Sequence, residues 1–383
     1  MGSAAVGGGP LQSGAATAIT DQLPLVVGGV LAVAVLGVLG WVAVGRLRST
    51  PGGRFRSVLA SHDEIAVLLH PNPDPDAMAS GMVTAAIAET EGTDATIQFP
   101  GTIERQENRA FETVLGLDCD RIEAAGDVAA DAVVLVDHNE ARGFHGAERI
   151  DPVAVVDHHP GDGDGSDFTD IRPDHGACAT IFAEYCEAMG LEPGEGDVLS
   201  TRVATGLLYG IQSDTKQLTS GCSKAEFAAA AYLYDGIDEE ALDRIANPEV
   251  DAAVLDVKAE AIRNREVRNA YAVSDVGTVG SADAVPQAAE ELLRLEGVSA
   301  VVVLGERDGT IHLSGRSRDD RVHMGRALRT AVEDIPMAEA GGHARMGGGQ
   351  LSVDHMEGIG PSDGVSREEF HDRLFDAMTG DLE

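Results

Sequence analysis

The chain has 383 residues, enough for about two domains, and its 64 acidic residues outnumber 28 basic ones for a formal net charge of -36. Only Lys216, Lys224 and Lys258 are lysines, so this charge excludes long-range steering of nucleic acid by a basic patch. At molar salt, where the Debye length is about 3 Å, a nucleic ligand has to be held at short range by metals, arginines and backbone N–H groups.

Residues 1–23 are mostly Gly, Ala, Ser and Thr with a single charge, Asp21, and read as a disordered tail. From Leu25 to Gly45 no residue is charged, and at 1.5 Å per residue the run spans about 30 Å, the thickness of a bilayer core. The spacing predicts one transmembrane helix over 24–45. Arg46, Arg48, Arg54 and Arg56 follow it, so the positive-inside rule leaves the catalytic domains cytoplasmic on a single-pass membrane protein. Residues 46–60 read as a linker. Cys119, Cys178, Cys186 and Cys222 contain no C-x-x-C pair and read as free thiols of a reducing compartment, in agreement with that side of the membrane.

The apolar run Ile65 to Leu69 predicts a strand buried on both faces, stopped by three prolines that leave His70, Asp74 and Asp76 on a stiff turn. One imidazole and two carboxylates form a mixed N/O donor set suited to Mn²⁺, Mg²⁺ or Fe²⁺. Residues 77–90 are small and apolar at helical spacing, and 95–99 reads as the next strand, completing a βαβ unit. Two more strands end abruptly in chemistry: 133–136 runs into Asp137-His138-Asn139-Glu140, and 153–156 into Asp157-His158-His159. A helix over 201–213 ends at Asp214-Thr215. Aspartate is common on so acidic a surface, but four of the twelve histidines, His70, His138, His158 and His159, stand at the ends of buried strands.

Residues 246–270 read as a helical connector. Beyond them come a strand at 271–279, a helix at 285–296, strands at 299–304 and 310–314, a helix at 321–332 and a strand at 350–353, a smaller α/β domain over 271–383. Its distinctive features are Leu313-Ser314-Gly315-Arg316-Ser317 at a strand end and the glycine-rich stretch 341–349, read as a loop able to present N–H groups to an anion or to serve as a hinge.

His70-x-Asn72-Pro73-Asp74-x-Asp76, Val136-Asp137, Asp157-His158-His159 and Ser213-Asp214-Thr215 resemble, in order, the four motifs of the DHH phosphoesterase superfamily. The S-x-R-S and G-G-H segments resemble its DHHA1 domain. The resemblance implies an α/β fold with a mainly parallel sheet over 61–245, a smaller α/β DHHA1 domain and a cleft between them. It also implies two divalent ions, Mn²⁺ by preference, that activate an attacking hydroxide. His70 and Asp74 would hold one ion, Asp76, His158 and Asp214 the other, with Asp137 bridging. His159 would contact a phosphate oxygen, Asp157 would orient a neighbouring histidine, and Arg316, Gly341, Gly342 and His343 would bind the rest of the substrate.

Within the superfamily the pairing resembles the branch that degrades short oligoribonucleotides and 3′-phosphorylated adenosine nucleotides, with a homodimer as a candidate assembly. The composition fits a halophilic archaeal source. Three alternatives remain open: a cyclic di-AMP phosphodiesterase; an inorganic pyrophosphatase or polyphosphatase, which the second motif, Asp137 to Glu140, resembles; and a non-catalytic nucleotide-binding membrane module.

Overall fold

The computed structural model describes residues 50–103, 105–318, 321–358 and 364–380, together with Gly2 and Gly45. Among the described residues no helix is long and apolar enough to cross a membrane. The expected tail at 1–23 and span at 24–45 lie, but for Gly2 and Gly45, outside them. The chain divides after Asn247 into two units, each with its own sheet.

In the first unit, part of the stretch expected to be a linker is helical. Pro51–Leu59 forms helix α1, with Pro51 at its first position and the Thr50 hydroxyl accepting a hydrogen bond from Gly53 N at 3.1 Å. Phe55 and Leu59, four residues apart on one face, are fully buried, and the Phe55 ring meets those of Phe168, Phe182 and Tyr185 at 5.4 to 5.9 Å. Two apolar residues among arginines make too faint a period to read in sequence, yet they anchor the helix.

Six strands follow: β1 (Glu64–Leu68), β2 (Asp94–Pro100), β3 (Asp120–Ile122), β4 (Val133–Val136), β5 (Ala154–Asp157) and β6 (Phe168–Ile171). All are parallel, in spatial order β3-β2-β1-β4-β5-β6. The order reverses between β1 and β4, and the carboxyl ends of strands at such a reversal are where open α/β sheets bind ligands. Helices α2 (Pro75–Thr90), α3 (Gln106–Leu115), α4 (Cys178–Ala188), α5 (Thr201–Asp214), α6 (Lys224–Tyr234) and α7 (Glu239–Ala246) contribute to one core with Ile65, Val67, Val134, Val136 and Val156. The alternate residues Ala66, Leu68, Leu135 and Val155 form a smaller cluster, closed by Val128, Ala141, Phe144 and Ile150 from connecting segments. The small residues of α2 let it approach closely: a Cβ on Gly210 of α5 would meet Asp76 Cα and Ala179 Cβ, both at 3.2 Å.

In the second unit, the expected connector is part of the domain: α8 (Ala252–Asn264) packs Val257 and Ala261 onto the sheet, and β7 (Glu266–Arg268) forms its edge. The other elements are β8 (Tyr271–Thr278), α9 (Ala284–Leu292), β9 (Ala300–Arg307), β10 (Thr310–Ser317), α10 (Met324–Val332), β11 (Glu339–Gly342), β12 (Met346–Ser352), α11 (Val353–Glu357) and α12 (Arg367–Thr379). The sheet runs β11-β12-β10-β9-β8-β7, and of these pairs only β8 and β9 are parallel. Alternation along β9 sends Val301 and Val303 toward α8 and α9, and Ala300, Val302 and Leu304 toward α10 and α12.

The glycine-rich stretch is not a loop. Gly341 and Gly342 pair with Gly348 and Gly347 in a hairpin of β11 and β12, against which α10 lies so closely that a Cβ on Gly325 would strike the Gly342 carbonyl. Glycine here gives helix and hairpin the room to touch.

Candidate metal centre

Four elements of the first unit, β1, β4, β5 and α5, end at one place, where α2 begins. After β1, His70 turns its Nε2 to within 3.4 Å of Asp137 Oδ2 and 3.6 Å of Asp74 Oδ1, while its Nδ1 bonds the Pro71 carbonyl at 3.0 Å. Asp74 caps α2, one oxygen accepting from the Asp76 and Ala77 N–H groups at 3.1 Å. Asp76 is fully buried, and its two oxygens accept from Cys178 N and Ala179 N, each at 2.7 Å, at the start of α4.

Asp137 follows β4 with φ of +61°, an unfavourable conformation for a side-chain-bearing residue, held by its N–H donating to Val156 O at 2.9 Å. That twist presents its two oxygens to different imidazoles: Oδ2 to His70, and Oδ1 to His158 Nε2 at 3.3 Å. His158 Nε2 also lies 3.8 Å from Asp76 Oδ2 and 3.6 Å from Asp214 Oδ2, at the end of α5. Its Nδ1 bonds the His175 carbonyl at 3.2 Å, which leaves Nε2 facing the carboxylates.

Donor atoms of His70, Asp74 and Asp137 lie within 4.8 Å of one another, as do those of Asp76, His158 and Asp214. Asp137, His158 and His159 make a third such group, but His159 Nδ1 is engaged by Asp157 Oδ1 at 2.9 Å and its ring is half exposed. Asp157, fully buried, also accepts from the N–H groups of His158 and His159 at 2.8 and 3.0 Å and from Asn139 Nδ2 at 2.8 Å. Asn139 and the His175 carbonyl escape sequence reading, because one is an amide without charge and the other is backbone. His138 has a different place from the other three histidines: it is buried with Nδ1 on Val136 O at 2.9 Å, its ring perpendicular to that of His70, and burial pushes it down to about 4.

The electrostatics of this cluster call for positive charge. Burial lowers the affinity of His70 for a proton, yet Asp137 and Asp74 outweigh it and raise the ring to about 11; His158 is raised to about 10 by Asp137 and Asp76 against the same burial. Burial, Asp137 and Asp214 push Asp76 well above the usual carboxylate range, and burial with Asp74 and Asp137 raises Asp214 to about 7. Burial would raise Asp137 too, but His158 and His70 hold it below the usual range. Protons here do the work that cations would do better. Asp137 Oδ1 and His158 Nε2, both buried, have no hydrogen-bond partner, as expected of atoms shaped to ligate. The donor set therefore fits divalent-metal binding through nitrogen and oxygen ligands.

The substrate-binding residues expected in the second unit are arranged otherwise than in a glycine nest. Arg316, on β10, is paired with Glu290 of α9 at 3.1 Å and bonds Ser314 Oγ and the Gly315 carbonyl, both at 3.0 Å. His343 is exposed in the turn between β11 and β12, where its N–H donates to Met346 O at 2.8 Å and its carbonyl accepts from Gly325 N at 3.0 Å. Gly341 and Gly342 are the last residues of β11.

Residues 64–211 match the DHH family, N-terminal domain, and residues 268–359 match the DHHA1 domain. An uncharacterized protein of Methanocaldococcus jannaschii is 36% identical over 70% of this chain and 55% of its own length. The cyclic-di-AMP phosphodiesterase GdpP of Geobacillus thermodenitrificans is 27% identical over 83% of this chain and 49% of its own. A probable manganese-dependent inorganic pyrophosphatase of Deinococcus radiodurans is 30% identical, but over 38% of this chain and 47% of its own. The chain thus spans about half the length of these curated relatives. Among solved structures, an exopolyphosphatase-related protein from Bacteroides fragilis shares the fold with a TM-score of 0.59 at 16% identity, over 85% of this chain and 94% of that one.

Proposed function

We propose that this chain, which carries a DHH domain and a DHHA1 domain and has relatives in the DHH superfamily, is a metal-dependent phosphoesterase that hydrolyses short oligonucleotides or phosphorylated nucleotides. The observation that carries the reading is Asp137: one buried carboxylate whose two oxygens face His70 and His158, at the meeting of two three-residue donor groups. Two divalent ions, of which Mn²⁺ suits the donors, supply Lewis acidity toward a phosphate oxygen and acidify a water when bound. His70, Asp74, Asp76, Asp137, His158 and Asp214 are assigned to hold them.

The chain's own residues set the rest. Asp157 fixes the His159 ring through Nδ1 and shifts it toward its protonated form, so that the half-exposed imidazole can donate to a phosphate oxygen as negative charge gathers there. The His175 carbonyl and the Pro71 carbonyl fix the tautomers of His158 and His70 with Nε2 free to ligate. Binding of the remaining phosphate or nucleotide is assigned to the second unit, through Arg316, His343 and the glycines beside it. The membrane attachment expected of residues 24–45, the cytoplasmic placement and dimerisation belong to the same proposal.

A second reading is a cyclic di-AMP phosphodiesterase. It is supported by the relative of that activity, whose match runs over 83% of this chain, through both units. The pyrophosphatase reading is weaker, because the Deinococcus relative matches over only 38%. A substrate panel separates them: the full chain with Mn²⁺ in molar KCl, given short oligoribonucleotides, 3′-phosphoadenosine 5′-phosphate, cyclic di-AMP and pyrophosphate. Turnover of the first two ahead of the others is expected. A protein that binds Mn²⁺ and cleaves none of the four is not a phosphoesterase of this class.

A further inference from the structure

Immediately after Asp214, Lys216, Gln217 and Leu218 all have positive φ, at 48°, 59° and 60°. Side-chain-bearing residues visit the left-handed region singly, and a run of three is strained. The bonds that wind this turn need no side chain at 216 or 217. Gln217 N donates to Gln212 O at 2.7 Å, Thr219 N to Thr215 O at 3.0 Å, and Leu218 N to Thr215 Oγ1 at 3.1 Å. Glycine at 216 or 217 would make the same bonds without strain. Both side chains there are exposed, so they add nothing to the core. Strain kept without structural return is found where a side chain is used.

Lys216 is one of three lysines in a chain with 64 acidic residues, yet among the described residues its ammonium has no carboxylate partner. Its Cα is two peptide units, at most about 7 Å, from that of Asp214. Asp214 Oδ2 faces His158 Nε2 at 3.6 Å. The turn also abuts the segment that fixes His158: a Cβ on Gly176 would meet Thr215 Cγ2 at 2.9 Å, and the preceding His175 carbonyl holds the His158 ring. A lysine without a carboxylate partner is thus kept, at a cost in backbone strain, two residues from Asp214 of the cluster.

We propose that Lys216 is a substrate-binding residue, whose ammonium contacts a second anionic group of a multiply charged phosphate ester beside the scissile phosphate. The inference rests on the phosphoesterase reading of the adjoining cluster. The test compares wild type, Lys216→Gly, Lys216→Gln and Lys216→Arg in the full chain with Mn²⁺, at the lowest salt that keeps the protein folded. The substrates are 3′-phosphoadenosine 5′-phosphate and the singly charged bis(p-nitrophenyl) phosphate. Lys216→Gly and Lys216→Gln should raise KM for the bisphosphate roughly 5- to 20-fold, with a much smaller rise for the artificial ester, and Lys216→Arg should restore most of it. Lys216→Gly alone should also raise Tm by about 2 to 4 °C, because it relieves the backbone.

An unchanged KM in Lys216→Gly overturns the proposal while the phosphoesterase reading stands. So does an equal loss on both substrates accompanied by weaker Mn²⁺ binding in calorimetry, since the turn would then act through Asp214. Wild type that hydrolyses neither of these substrates, nor short oligoribonucleotides, cyclic di-AMP or pyrophosphate, removes the reading and the inference together.

Discussion

Asp137 shows what one residue contributes to a site and how much of that a sequence reveals. A strand of valines ending in Asp-His marks the position, because apolar runs and chemistry-bearing ends are sequence patterns. The positive φ that turns its two oxygens toward His70 and His158 is set by the Val156 carbonyl on the neighbouring strand, which no local pattern announces. For the same reason His138 looks like its neighbours in sequence, yet the structure buries it behind His70 as a neutral packing ring. If Asp137 joins two ion sites, Asp137→Ala should bring hydrolysis of every substrate down by at least about three orders of magnitude. It should also lower the number of Mn²⁺ ions bound per folded chain, read by calorimetry and by metal analysis after gel filtration. Two tightly bound ions in that variant would remove the assignment.

At the scale of elements, strands and helices around the site were readable because their periods are strong: β1, β4, β5, α2 and α5 all stand within a few residues of their expected bounds. What escaped were elements whose cause is tertiary. α1 exists because Phe55 fills a ring cluster from β6 and α4, and the β11–β12 hairpin exists because α10 packs onto it. Gly325→Ala should therefore pry helix from hairpin and cost about 1 to 3 kcal/mol in the second unit, seen as a lower thermal midpoint with Mn²⁺ binding retained. In the first unit, Asp170 on β6 accepts from Arg172 at 2.7 and 2.9 Å and from Tyr185 of α4 at 2.6 Å, tying that strand to the helix whose N–H groups clamp Asp76. Asp170→Asn should cost about 1 to 3 kcal/mol near neutral pH. Burial opposes ionisation of this carboxyl, but Arg172 and Tyr185 prevail and lower its pKa. Its contribution is then full above the unfolded value of about 3.9 and lost as pH falls through the lowered folded one. Denaturation curves of wild type and Asp170→Asn should thus stand apart at pH 7 and draw together as pH falls below the unfolded value of about 3.9.

For the molecule as a whole, the proposed division of labour between two units turns on Arg316. The strand-end Ser-x-Arg-Ser pattern predicts a guanidinium for a phosphate, whereas the structure pairs that guanidinium with Glu290. Sequence could not anticipate the partner, because Glu290 lies on α9, 26 residues earlier and beside a second glutamate, Glu291, of the same helix. The two roles make opposite forecasts for one pair of variants. If Arg316 binds substrate, the pair with Glu290 is what a phosphate displaces, and a charge-assisted contact of about 1.5 to 3 kcal/mol is at stake. Arg316→Ala should then lower kcat/KM roughly 10- to 150-fold on a dinucleotide or a bisphosphorylated nucleotide, and far less on bis(p-nitrophenyl) phosphate. Glu290→Ala, which frees the guanidinium, should hold or improve KM on the same nucleotides. If Arg316 only ties α9 to β10, both variants should lower Tm alike, and kcat/KM should move little on any substrate. A fall in kcat/KM for Glu290→Ala as large as for Arg316→Ala would show that the ion pair acts as a structural unit, and Arg316 would lose its place as a phosphate ligand.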